Sequence, residues 1–145
     1  MPAVPGLRSP FSLVGPLIYV GRMFDKIRLH EEGNLPEDFH AALGNGLDLR
    51  ACNFLGIKYD ALKSKVLTGA PDEEVLAWCF TQGVDRSEHD CVVWNAFLQK
   101  LGWRDDRSEF LQGRVEAQGY ANRGIETFFD LINIDEDRPL GPPHV

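Results

Sequence analysis

A chain of 145 residues has the size of one domain, and its composition, 43% hydrophobic and 26% charged, excludes a wholly disordered, collagen-like or coiled-coil protein. Twenty-two acidic residues against fifteen basic ones leave a net charge of −7, which disfavours a general attraction to nucleic-acid phosphates or anionic membranes. Cys52, Cys79 and Cys91 are odd in number and form no C-x-x-C pair, so neither a disulfide framework nor a zinc or redox motif is expected.

The N-terminus lacks a basic stretch followed by a long apolar one, and does not read as a signal peptide. The least interrupted apolar run, Leu13 to Gly21, contains Gly15 and Pro16 and is about half the ~20 residues a membrane span needs. These features predict a cytoplasmic protein with reduced thiols and neither a membrane nor a nucleic-acid partner.

In chain order, Met1 to Pro10 holds three prolines and a glycine and is expected to be extended, either mobile or draped over the rest. The first and longest helix is expected to open near Gly15-Pro16 and close before Gly33. A short helical turn should follow from Pro36 through Leu43, and Gly44 and Gly46 break the chain before Asp48 caps Leu49 to Leu55. Tyr59, Leu62 and Val66 form an apolar stripe ending at Gly69.

Pro71 opens the next helix, with Asp72, Glu73 and Glu74 at its positive end and Val75, Leu76, Cys79 and Phe80 on its buried side. Ser87 and Asp90 predict a capping-box start to a helix carrying Cys91, Trp94, Phe97, Leu98 and Leu101. Ser108 to Gln118 can form a helix despite Gly113, and Asn122 or Gly124 starts the last one, with Ile125, Phe128, Phe129 and Ile132 inward. Asp135-Glu136-Asp137 and Pro139 then end regular structure. The expected architecture is all-α: one compact domain over 11–137 of six to eight short helices around a central N-terminal helix, with an extended segment 1–10 and a flexible tail 138–145.

Chemistry concentrates in the first helix. At about 100° per residue, Leu17, Val20, Phe24 and Ile27 share a core stripe, while Arg22, Asp25 and Lys26 share an arc of roughly 100° with Ile18 and Leu29. A helix apolar nearly all round is buried on most sides, so these charges must be paired or used. One reading makes them intrahelical pairs on a solvated face, Asp25 with Arg22 or Arg28. The other makes them a pocket for an anionic small molecule, in which Arg22, Arg28 and Arg50 bind the anion and Asp25, Lys26 and His30 move protons, in metal-independent chemistry of lyase or isomerase type.

His30, His40, His89 and His144 show no two-ligand spacing, so no metal and no cofactor are expected. The cysteines read as core residues, with Cys52 the one to watch because Arg50 is near it. Gly44 and Gly46 read as a helix break rather than a phosphate loop, and Trp103 as a packed hinge. A competing function is a non-catalytic interaction module, a homodimer being one form, with an exposed patch around Trp103 or Phe128.

Several blocks, Leu7-Arg8-Ser9-Pro10, Gly21-Arg22-Met23-Phe24-Asp25-Lys26-Ile27-Arg28-Leu29, Asn34-Leu35-Pro36-Glu37-Asp38-Phe39-His40 and Phe54-Leu55-Gly56-Ile57, carry a resemblance, as do Trp94-Asn95-Ala96-Phe97, Gly102-Trp103-Arg104-Asp105 and Thr127-Phe128-Phe129-Asp130. Through them the chain resembles, over about residues 7–137, a family of small bacterial proteins catalogued only as a domain of unknown function. The resemblance implies a free-standing bacterial single-domain protein and brings no activity, substrate or catalytic residue with it.

Overall fold

A computed structural model describes residues 3–142. Seven α-helices and one 3-10 helix make up most of the described residues, with a single two-stranded sheet. The helices are α1 (Val20–Glu31), α2 (Leu47–Leu55), α3 (Tyr59–Val66), α4 (Asp72–Gln82), α5 (Glu88–Leu98), α6 (Ser108–Ala117) and α7 (Phe128–Asp135), with the 3-10 helix at Glu37–Ala42. The mostly helical single domain expected from the sequence is what forms.

Three boundaries differ from the expectation, one of them the start of α2, at Leu47 rather than Leu49. Residues expected to open the first helix instead form an antiparallel hairpin, β1 (Leu13–Val14) and β2 (Leu17–Ile18), with Leu13 opposite Ile18 and Val14 opposite Leu17. Gly15 adopts φ 53°, the positive value that two-residue hairpin loops require, and Pro16 completes the loop without needing an N–H. The last helix begins not at Asn122 or Gly124 but after Thr127, which is extended and whose Oγ1 accepts from the Asp130 N–H at 3.1 Å. Gly124 sits at φ 73°, where a helix cannot continue.

Elsewhere local rules suffice. Ser87 and Asp90 complete a reciprocal capping box, Asp90 N–H donating to Ser87 Oγ at 3.1 Å and Ser87 N–H to Asp90 Oδ2 at 3.0 Å. Around α1 the largest core gathers the hairpin, α2, α3, α4 and α5, with Leu17, Phe24, Leu55, Leu62 and Phe129 among its fully enclosed side chains. A second cluster joins α6 to α7 through Leu111, Val115, Ile125, Leu131 and Ile134. A third ties the N-terminal segment down, Val4 and Leu7 packing on Leu29 and Leu35. Of the two forms expected for residues 1–10, the described part is draped.

Residues 138–142, expected to be a flexible tail, are also anchored. Arg138 Nη2 donates to the Leu7 carbonyl at 2.6 Å, Asn133 Nδ2 to the Pro139 carbonyl at 3.3 Å, and the Gly141 N–H to Asp130 Oδ1 at 3.0 Å. The rest of that tail, 143–145, lies outside the described residues.

The ends of α2 and α4 meet at Gly83. Val84 N–H donates to the Leu55 carbonyl at 2.9 Å, and a Cβ on Gly83 would stand 2.0 Å from that same oxygen. No side-chain rotation relieves a clash with backbone. Gly83→Ala should therefore destabilise the fold by more than about 2 kcal/mol, read as a lowered urea midpoint with the unfolding slope unchanged.

Candidate functional site

Every residue from Val20 to Ile27 is buried, so α1 runs through the interior with its charged side chains enclosed. The arc of Arg22, Asp25 and Lys26 is divided there between two sides. Asp25 turns toward the N-terminal segment, where its carboxylate receives Arg8 Nε at 2.9 Å, Arg8 Nη2 at 3.0 Å and the Arg8 N–H at 2.9 Å. Arg8 also reaches Asp72 at 2.8 Å and crosses Gly21, where a Cβ would come within 2.9 Å of the guanidinium carbon. Arg28 closes this group, 2.6 Å from Asp72 and 3.7 Å from Asp25. Burial works to raise the Asp72 pKa, but hydrogen bonds from Arg28 and Arg8 hold it below the ordinary carboxylate range.

On the other side, Arg22 forks onto Glu136, Nη1 to Oε1 at 2.9 Å and Nη2 to Oε2 at 2.5 Å, and donates to the Arg8 carbonyl at 3.1 Å. Arg138 adds a second cation to Glu136 at 2.6 Å. The intrahelical pairing foreseen for Asp25 therefore holds for Arg28 but not for Arg22, whose partner lies at the far end of the chain. Glu136, read in the sequence as part of an acidic helix stop, is only 2% exposed.

Lys26 has a similar distant partner. Its Nζ lies 2.7 Å from Asp48 Oδ1 and 3.1 Å from the Tyr19 hydroxyl, which itself donates to Asp48 Oδ1 at 2.6 Å. Asp48 does not cap α2 as expected. Gly46 is the N-cap, with no side-chain bond, while the Asp48 side chain turns inward and also accepts the Gly44 N–H at 3.0 Å. Burial pushes the Lys26 pKa down against the opposing pull of Asp48, and pushes the Tyr19 hydroxyl well up in the same direction as Asp48.

Tyr19 is the N-cap of α1 at φ 74°, a backbone region that costs a non-glycine residue of order 1–3 kcal/mol. Its hydroxyl is fixed by Asp48 and Lys26, and its ring stacks on Phe129 at 6.0 Å between centroids.

A cavity of about 550 Å³ opens over these groups, within the size range of small-molecule sites. Tyr19, Arg22 and Lys26 form its buried floor, and Asp38, Arg114 and Gln118 stand at its exposed rim. Of the residues singled out in the sequence, Arg22 and Lys26 line it. Asp25 and Arg28 belong to the Arg8–Asp72 group instead, and His30 is exposed with its ring 4.7 Å from that of His40. Arg50 lines a neighbouring cavity. No local signal marks Asp48 or Glu136 as partners, because each pairs across more than twenty positions of sequence.

A family model described as a domain of unknown function, DUF5069, matches residues 4–138. The chain belongs to that family. No curated protein matches it. The matched span takes in Arg8, Tyr19, Arg22, Lys26, Asp48, Glu136 and Arg138, so both ion-pair groups of α1 fall inside the family domain.

Among the described residues no group of three His, Cys, Asp or Glu side chains is placed to hold a metal, and His144 lies outside them. No described helix is long and apolar enough to cross a membrane. The cysteines are all buried and free, Cys52 included. Burial, with help from Asp48, pushes the Cys52 thiol up to about 11, and burial with Cys52 nearby pushes Cys79 up to about 12.

Those shifts set an alkaline limit. The unfolded thiols ionise near 9.0 while the folded ones resist, so the stability they contribute is complete below about pH 9 and is lost as pH rises toward 11 to 12. Tyr19 and Tyr59, also raised by burial, add to the loss above about pH 10. Lys26 acts in the opposite direction, since its lowered pKa means that its burial cost eases as pH rises. With several groups against one, the melting temperature should fall steadily between about pH 9 and about pH 11. A flat profile over that interval would show that the thiols and phenols are not held neutral by the fold.

Proposed function

We propose that the cavity over Tyr19, Arg22 and Lys26 binds a small anionic molecule, with Lys26 and Tyr19 as the groups that exchange protons with it. The observation carrying this reading is that Lys26, 4% exposed, is buried beside its own counter-charge and still forms part of a cavity wall. Burial disfavours the protonated form of this amine, which suits it to take a proton from a ligand, and the Tyr19 hydroxyl stands 3.1 Å away. Metal-independent chemistry of lyase or isomerase type is the reaction class such a pair serves. Arg22, already forked onto Glu136, contributes field and shape, and Arg114 at the rim supplies the cation free to move onto a ligand.

The test is a thermal-shift comparison of wild type, Lys26→Met and Tyr19→Phe against pooled small carboxylates and phosphates, followed by deuterium exchange of ligand C–H positions in D2O. One anion class should raise the wild-type melting temperature, lose that effect in Lys26→Met, and exchange a proton only when Tyr19 and Lys26 are intact. Stabilisation that persists in both variants would remove the cavity from consideration.

A second reading, a non-catalytic interaction module in monomeric or homodimeric form, is favoured by α5. Val92, Val93 and Phe97 are exposed along it, beside a stack of Phe54 on Trp94 at 4.6 Å whose indole N–H has no partner among the described residues. Light scattering separates the 16.3 kDa single chain from a dimer.

A further inference from the structure

Beside the first cavity, across Gly46, Leu47 and Arg114, which belong to both walls, lies a second cavity of about 580 Å³. Three arginines, Arg50, Arg107 and Arg114, converge on it, and no acidic residue lines it, although the chain carries 22 acidic residues against 15 basic ones. The other arginines near α1 show what pairing looks like in this protein: Arg8, Arg22, Arg28 and Arg138 each reach a carboxylate within 2.9 Å. Arg50, Arg107 and Arg114 have none within 4.0 Å among the described residues.

The acidic residue whose charge is felt with Arg50 is Asp105, and both of its oxygens are engaged. The Gly102 N–H donates to Oδ2 at 2.9 Å and the Arg107 N–H to Oδ1 at 2.9 Å. What Arg107 and Arg114 have instead are aromatic rings. Arg107 stands 4.3 Å from the centre of the Phe110 ring and 6.0 Å from that of Phe128, and Arg114 stands 6.0 Å from Phe110. Like charges gathered around one cavity repel each other, and a bound anion is what relieves that repulsion.

We infer that this second cavity is a binding site for an organic anion: its carboxylate or phosphate is held between Arg50 and Arg107, and its flat apolar body lies against Phe110 and Phe128. Guanidinium forks suit either anionic group, and both rings line the cavity. The inference shares Arg114 with the function proposed above but uses neither Lys26 nor Tyr19, and its test reads Arg50, Arg107 and Phe110.

The test titrates the full chain at low ionic strength with phenyl phosphate, benzoate and inorganic phosphate, following backbone amides by NMR. Phenyl phosphate or benzoate should move the amides of Leu49, Phe110 and Phe128, and bind more tightly than inorganic phosphate. Arg50→Ala with Arg107→Ala should weaken the aryl anion at least about tenfold, whereas Arg123→Ala, at an exposed arginine that lines neither cavity, should leave it unchanged. Phe110→Ala, at a half-exposed ring, should bring phenyl phosphate down to the level of inorganic phosphate, and decides the matter if the double arginine variant fails to fold. No amide response to either aryl anion at millimolar concentration, or binding indifferent to the arginine and Phe110 changes, overturns the assignment.

Discussion

Arg22→Met should lower the free energy of unfolding by about 3–5 kcal/mol, the usual cost of stranding one member of a buried ion pair. Glu136 would keep only Arg138, and the Arg8 carbonyl would lose a donor, in a place where neither oxygen can turn to water. The loss should be far from additive with its partner's. Arg22→Met combined with Glu136→Leu removes both charges and refills their volume, and Arg138, a quarter exposed, can swing into solvent. The double variant should therefore be more stable than either single one, read by urea unfolding as a positive coupling energy. Equal losses in single and double variants would mean that the packing of the side chains, not their charge, holds α7 to α1.

The second large effect belongs to Asp48, 0% exposed and the shared acceptor for Lys26 and Tyr19. Asp48→Asn keeps the shape and removes the charge. It should cost about 3–5 kcal/mol near neutral pH, because Lys26 is left as a buried cation without a counter-charge. The same change should push the Lys26 pKa lower still, since Asp48 is what opposes burial there. Part of the lost stability should consequently return as pH rises and the amine sheds its proton. Lys26→Met strands Asp48 as a buried anion with only the neutral Tyr19 hydroxyl and the Gly44 N–H to bond it, so it should cost a similar amount, without the recovery at high pH. If Asp48→Asn proves as stable as wild type at neutral pH, Lys26 must already be neutral in the native protein.

What the sequence disclosed, and what it hid, divides along the range of each interaction. Helices α3, α4 and α5 were legible because their signals are local: apolar spacing at Tyr59, Leu62 and Val66, proline and acids at the start of α4, and Ser87 with Asp90 three residues apart. The enclosure of α1 was half legible: large apolar residues interleaved with its charges pointed to burial, while i,i+3 spacing of the charges equally suited the solvated face that the structure does not have. The hairpin at Leu13 to Ile18 was missed because Gly-Pro there also reads as a helix start, and two residues per strand are too few to show alternation.

The site was only half visible. Arg22 and Lys26 are about 40° apart on the helix and meet one cavity, but Asp25 lies some 100° from Lys26, enough to put it against a different part of the chain. The acids that matter most carried misleading local meanings. Asp48 stands where a cap is expected and Glu136 where a helix stops, and nothing within a few residues of either announces a cation 22 or 114 positions away.

That last separation bears on how the chain acquires its structure during synthesis. Arg22 leaves the ribosome early, whereas the carboxylate that neutralises it, and the Arg138 that clasps the Leu7 carbonyl, come more than a hundred residues later. Until then the central helix carries an enclosed charge with no partner, which opposes any premature compaction around it. Helices α3 to α5 can associate while translation continues, but closure around α1 must await the arrival of Glu136. Folding is thereby tied to the synthesis of α7, and nascent chains stalled before it should remain open to proteolysis at the N-terminal segment.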